Sequence, residues 1–328
     1  MKELIKKLTS VNSVSGNEES VAEIIKNEII KYVDKVYTDK MGNLIAIKNG
    51  DETSVMFCAH TDQIGLIVSY VEDNGYIRFS NMGYVDPRDI YSRHIVFKNG
   101  VNGIVCCEEK VEKDAKLENY FIDIGASNKE EALSMISIGD TATYVSDFIE
   151  LGEYKIASNA MDDRIGCACL IEAIKNIKSN KNTLYFVFTV QEELGLRGAK
   201  TAGFTVEPDY AIAIDVTSTG DTPNCGFSVV ELSKGPTIKL KDNGIIANKK
   251  IKDTLIKTAQ ENGIEFQPEV LSGGSTDVGV IQTMKSGVLC SGISIPTRYI
   301  HTPVETVDMR DVLKAVTFIE KICENGIE

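Results

Sequence analysis

Four apolar runs constrain this chain most strongly, because each one stops on a histidine or a carboxylate. SVMFCA leads into His60-Thr61-Asp62, TLYFVFTVQ into Glu192-Glu193, YAIAI into Asp215, and GVLCSGISIPTRYI into His301. Each is shorter than the roughly 18 residues needed to span a bilayer. Apolar runs of this length, rich in β-branched and aromatic residues, read as buried strands. Helical periodicity lies between and after them, over 163–178, 195–203, about 248–262 and 308–324. The alternation predicts an α/β fold, a mainly parallel doubly wound sheet with helices on both faces. Sheets of that kind hold ligands in the crevice at the carboxyl ends of their strands, which is where the four endings fall.

Two amphipathic helices are predicted at the start, over 1–9 and 18–33, broken at Gly16-Asn17. The strand-like runs VYTD and NLIAIK follow them. From about 68 to 156 the texture changes to short alternating runs separated by Asn-Gly and similar pairs, the signature of hairpins. One helix interrupts this block after Ser127, where Ser127 and Glu130 fit a capping box. The block reads as a β-rich insertion, 68–156, that splits one α/β domain made of 1–67 and 157–328. A chain of 328 residues has room for both. An insertion with exposed strand edges would also offer a pairing element.

A net charge of −13 argues against a nucleic-acid partner, which would call for a basic footprint. The eight cysteines form no CxxC pair, and several lie within apolar runs, where a free thiol packs as a small hydrophobe. The amino terminus has no continuous apolar stretch of the signal-peptide kind. The expectation is a soluble, reduced, cytoplasmic protein without a membrane partner.

Taken singly, the strand endings have ordinary explanations. His60-x-Asp62 suits a surface turn, Glu192-Glu193 a solvated helix start, Asp215 a cap, and His301 a loop. Their shared place at the sheet edge lifts them together, with Asp162-Asp163-Arg164 as a further candidate at the start of a helix. His94 precedes a strand of the insertion, has no acidic companion, and is read as structural. Two imidazoles and three carboxylates, one of them bridging, suit two divalent ions: zinc first, with cobalt or manganese as alternatives. Of the adjacent glutamates, one can ligate and the other can move a proton. Asp62 is placed to orient the His60 ring. The loop Ser272-Gly273-Gly274-Ser275-Thr276-Asp277 lacks the lysine of a phosphate loop and reads as a flexible turn, with Asp277 available as a cap.

These stretches resemble the tetrahedral (TET) aminopeptidases, dinuclear metallo-aminopeptidases that include glutamyl and deblocking enzymes. The resemblance rests on SVSGNEE, GNLIA, CAHTDQIG, NAMDDRIGC, FTVQEELGLRGA, AIDVT, KGPTI, SGGSTDVG and PTRYIHTPVE, in the expected order along nearly the whole chain. It implies that His60, Asp162 and Asp215 hold one ion and that Asp162, Glu193 and His301 hold the other. Glu192 would be the general base, and Asp62 the acid behind His60. It also implies a cis peptide between Asp162 and Asp163. Gly274 and Asp277 would lie beside the substrate, and Arg298 would either lie there too or sit in a structural salt bridge. Substrates would be short peptides with a free amino terminus. The β-rich block would build a homo-oligomer, a dimer or a tetrahedral dodecamer. Gln63 departs from the pattern, since many relatives carry Glu there. A deacylase or carboxypeptidase on the same fold, an endoglucanase label carried by some related sequences, and a non-catalytic metal-binding scaffold are the alternatives.

Overall fold

The computed structural model describes residues 1–109, 115–225 and 228–327. Helices α1 (Lys2–Thr9) and α2 (Glu19–Ile29) lead into strands β1 (Lys35–Thr38), β2 (Leu44–Lys48) and β3 (Asp51–His60). Strands β4 (Gly65–Val71), β5 (Ile77–Met82), β6 (His94–Phe97), β7 (Asn102–Cys107), β8 (Tyr120–Asp123) and β9 (Thr141–Tyr144) follow, with helices α3 (Pro87–Ile90) and α4 (Lys129–Met135) among them. After β10 (Ile149–Leu151) and β11 (Lys155–Ser158) come α5 (Met161–Asn176), β12 (Asn182–Thr189), α6 (Arg197–Val206), β13 (Tyr210–Ser218) and β14 (Thr237–Lys241). The chain ends with α7 (Lys249–Glu261), β15 (Gln267–Val270), α8 (Val278–Ile281), β16 (Leu289–Arg298), β17 (Glu305–Asp308) and α9 (Met309–Asn325).

The large sheet runs β1-β2-β12-β3-β13-β16-β17-β11-β10, with β14 on β16 and β15 on β14. Its centre is built as the apolar runs demand. On β3, Val55, Phe57 and Ala59 enter one core while Met56 and Cys58 enter another; on β13, Ile212 and Ile214 face the first and Ala211 and Ala213 the second. Helices α1, α2, α5, α7 and α9 close the first core, and α6 and α8 the second. A strand buried on both faces loses its polar alternation, which is why these runs read as continuous.

The sheet is mixed, not mainly parallel. β12, β3, β13 and β16 pair in parallel, but β1-β2, β2-β12, β16-β17, β17-β11 and β11-β10 are antiparallel. The pairs β1-β2, β10-β11 and β16-β17 are joined by turns of a few residues, where a parallel neighbour would need a long crossover, while β2-β12 and β17-β11 join segments remote in sequence.

Strands β4 to β9 close into a separate barrel, β4-β5-β8-β7-β6-β9, around a core of its own that includes Ile77, Phe79, Ile95, Val105 and Ile122. It starts at Gly65, and β10 with the first two residues of β11, which fall inside the 68–156 block, belongs to the large sheet. The expectation of exposed edges in this unit is also corrected, because closure pairs β4 with β9. The cap of α4 is shifted by one residue. Asn128 accepts from the Glu131 amide at 2.9 Å, and the Glu131 carboxylate accepts from the Ser127 amide at 2.7 Å. All eight cysteines are free.

Candidate metal centre and active site

The strand endings converge at one edge of the sheet. β12 and β3 run in register with Thr189 opposite His60, so the turns that follow them emerge side by side. Asp215 lies late in β13, and His301 follows β16. Asp162 and Asp163 occupy the start of α5, with non-helical backbone and a cis peptide between them.

Asp162 stands between the two histidines. Its Oδ1 is 3.0 Å from His60 Nε2, and its Oδ2 is 3.2 Å from His301 Nε2. Asp215 Oδ1 completes one group at 4.0 Å from His60 Nε2, and Glu193 Oε1 the other at 3.3 Å from His301 Nε2. In each triad the possible ligand atoms lie within 4.8 Å of one another. Two imidazole nitrogens and three carboxylates, with Asp162 offering one oxygen to each side, form a donor set that fits a pair of divalent cations.

The electrostatics agree with that fit. Burial raises the Asp215 carboxyl to about 7 and lifts Glu192 and Glu193 above the usual range, with neighbouring acids adding to it. Burial opposes charge on His60, but hydrogen bonds to Asp162 and Asp62 outweigh it and raise its pKa well above the ordinary value. Burial likewise opposes Asp162, and His301 and His60 prevail, leaving its carboxylate well below the usual range. Four carboxylates, Asp162, Glu192, Glu193 and Asp215, thus face two imidazoles around the cleft, an excess of negative charge that divalent cations would offset.

Supporting groups come from several distant segments. Asp62, fully buried, accepts from the Glu192 amide at 3.0 Å, the Glu193 amide at 3.2 Å and Ser15 Oγ at 2.6 Å, and its own carbonyl lies 3.1 Å from His60 Nδ1. Asp163 accepts from the His60 and Gly166 amides at 3.2 and 3.0 Å. Glu305, 2% exposed, accepts from the Asp162 amide at 3.0 Å and the His301 amide at 2.7 Å. Arg164, fully buried, donates to the carbonyls of Thr61, Leu8 and Val11 and to Gln63 Oε1. Glu305 and Arg164 fall within the motifs quoted above, but nothing in their spacing signals these partners.

Gln63 links three parts of the molecule. Its Oε1 accepts from the Ser13 amide at 3.3 Å and from Arg164 at 3.1 Å, while its Nε2 donates to Thr143 Oγ1 on the barrel at 2.7 Å. An amide can both accept and donate there; a carboxylate cannot. The barrel also reaches the site through Gly83, whose left-handed φ of +77° and close approach to Ile64 and Glu193 leave little room for a side chain. Beside it the Tyr84 ring is 6.1 Å from that of His301, a contact the sequence reading did not anticipate.

A cleft of about 290 Å³ opens over the centre, with Thr217, Leu271, Gly274, Ser275, Thr276 and Ile300 around the ligand residues. Gly274 is part of the cleft wall. Asp277 lies beneath, 2% exposed, accepting from Thr189 Oγ1 at 2.5 Å. Arg298 is engaged by Asp221 at 2.9 and 2.6 Å, its salt-bridge alternative. Neither Asp277 nor Arg298 lines the cleft. His94 pairs with Asn102 on the barrel surface, away from the centre.

Known proteins resemble the chain along nearly its whole length. The family described as M42 glutamyl aminopeptidase matches residues 42–318. A chain from Acetivibrio thermocellus, provisionally named an aminopeptidase, is 47% identical over 98% of both sequences. Lysyl aminopeptidase of Pyrococcus furiosus is 34% identical, over 98% of this chain and 96% of its own. The Pyrococcus horikoshii TET1 peptidase, which assembles into a tetrahedron or a large octahedral shell, superposes with a TM-score of 0.90 at 35% identity, covering 99% of each chain.

Proposed function

The chain belongs to the M42 glutamyl aminopeptidase family, and on that premise we propose that this peptide hydrolase removes single residues from the free amino terminus of short peptides at a paired-cation centre. His60, Asp162 and Asp215 would hold one ion, and Asp162, Glu193 and His301 the other. The observation that carries this reading is the Asp162 carboxylate, with one oxygen toward each histidine. Imidazole with carboxylate ligation favours zinc, with cobalt or manganese as alternatives. When bound, the ions supply electrophilic activation of the scissile carbonyl and of the attacking water.

The chain's own residues supply the rest. Glu192 is the general base: its carboxylate takes the proton of the attacking water and then delivers it to the departing amine. Burial raises its proton affinity, which suits a group that must both accept and release a proton near neutral pH. Asp62 anchors the Glu192 and Glu193 backbone and orients His60. The acidic side chains around the cleft favour the cationic α-amine, and Gly274 leaves the wall open where the first side chain enters. The barrel is proposed as the assembly unit of a homo-oligomer, a dimer or a closed shell like that of the TET1 relative. No helix of the described residues is long and apolar enough to cross a membrane.

The test is a set of aminoacyl chromogenic substrates and short peptides, each with a free or an acetylated amino terminus. Release of the first residue from the free forms alone supports the reading. Cleavage of acetylated forms, or release from the carboxyl end, would move the assignment to a deacylase or carboxypeptidase.

A further inference from the structure

The turn that presents Glu192 is held by carboxylates at three successive amides. Asp62 takes the Glu192 and Glu193 amides. The Gln191 amide goes elsewhere, to Glu18 Oε1 at 3.1 Å, and the same oxygen accepts from the Gly16 amide at 2.7 Å. Glu18 is 5% exposed and lies at the foot of α2, more than 170 positions away in sequence. Gln191 has a left-handed φ of 53°, and this is where the chain turns out of β12 toward the site. An L-residue reaches that conformation only at some cost, so the hydrogen bond there helps to hold it.

The segment that carries Glu18 is itself tied to the site. Val14 pairs with Gln63, the Gln63 amide donates to the Ser13 carbonyl, and Ser15 Oγ donates to Asp62. The link between α1 and α2 therefore lies along both catalytic turns, His60–Gln63 and Gln191–Glu193. We propose that Glu18 is a positioning residue for catalysis, whose acceptor oxygen fixes the Gln191 turn and with it the placement of the Glu192 carboxylate. The role rests on the assignment of Glu192 as base. It needs an acceptor rather than a charge, since both partners of Oε1 are neutral amides. A cavity of about 240 Å³ beside Gly16, Glu18, Leu44 and Gln191 would admit water to the two amides in a truncated variant, so the fold survives while the turn loosens.

The experiment compares Glu18→Ala and Glu18→Gln with the wild-type protein, loaded with the same metal. Glu18→Ala should lower kcat about tenfold or more, because small displacements of a catalytic group are costly. KM and bound metal should stay near wild-type values. Glu18→Gln should recover most of kcat. Hydrogen exchange of the 189–196 segment should quicken in Glu18→Ala and not in Glu18→Gln. Unchanged kcat and exchange in Glu18→Ala would overturn the proposal, and so would a Glu18→Gln variant as impaired as the truncation. A wild-type protein inert toward every aminoacyl substrate would instead count against the aminopeptidase reading, and the exchange comparison would still decide the role of Glu18.

Discussion

Asp162 shows how much of the centre rests on single atoms. Its oxygens serve one histidine that ends β3 and another that follows β16, and its amide is held through Glu305 on β17. Replacing Glu305 with alanine strips the acceptor from the Asp162 and His301 amides at once. The expected outcome is a loss of metal affinity of about 10- to 100-fold, the usual effect of removing a group that orients ligands, read by competition with a chromogenic chelator. Glu192→Gln should do the opposite: metal binding stays near normal, while kcat falls by about 10²- to 10⁴-fold, the range for loss of a general base. Four of the proposed ligands, His60, Glu193, Asp215 and His301, were legible in sequence because each follows an apolar run, whereas Asp162 at the start of α5 was marked by the family resemblance. Glu305, Glu18 and Arg164 were not legible, because most of their partners are backbone amides and carbonyls, several in remote segments, which leave no side-chain pattern to read.

At the scale of elements, the strands that carry the site were readable for the same reason that they are stable. Burial on both faces makes β3, β12, β13 and β16 continuous apolar runs. The outer strands were harder to orient, because the apolar pattern does not set direction and two of their pairings, β2-β12 and β11-β17, join segments remote in sequence. The limits of the barrel were blurred because β10 and β11 are as short as the barrel strands, yet β11 pairs with β17 and β10 with β11. Helices α1, α2 and α5 are fastened by Glu28, which meets Lys7 at 2.9 Å and Lys175 at 2.7 Å. Lys175 first, then Lys7, lowers its carboxyl from 4.5 to about 2. A depressed native pKa contributes stability above the unfolded value that is lost as pH falls through the native one. Wild type should therefore exceed Glu28→Gln in melting temperature at neutral pH, by an amount equivalent to about 1 kcal/mol or less for so exposed a pair. That margin should shrink between pH 4.5 and about 2. Parallel melts of the two proteins across this range are the check.

For the whole molecule, the α/β sheet supplies a rigid edge and the barrel supplies a wall, with Gly83 packed against Glu193 and Tyr84 beside His301. The acidic excess of the chain, −13, was uninformative about that edge, because the few carboxylates that matter are buried among neighbours. The central claim is that two cations share Asp162 and make the centre competent for hydrolysis. Calorimetric titration of the chelated protein with zinc, manganese or cobalt, with hydrolysis of an aminoacyl chromogenic substrate followed on the same samples, tests it most directly. The account predicts two bound ions per chain, no activity in the chelated protein, and activity that returns with metal. Turnover that survives complete chelation, or a centre that takes up no metal, would contradict it.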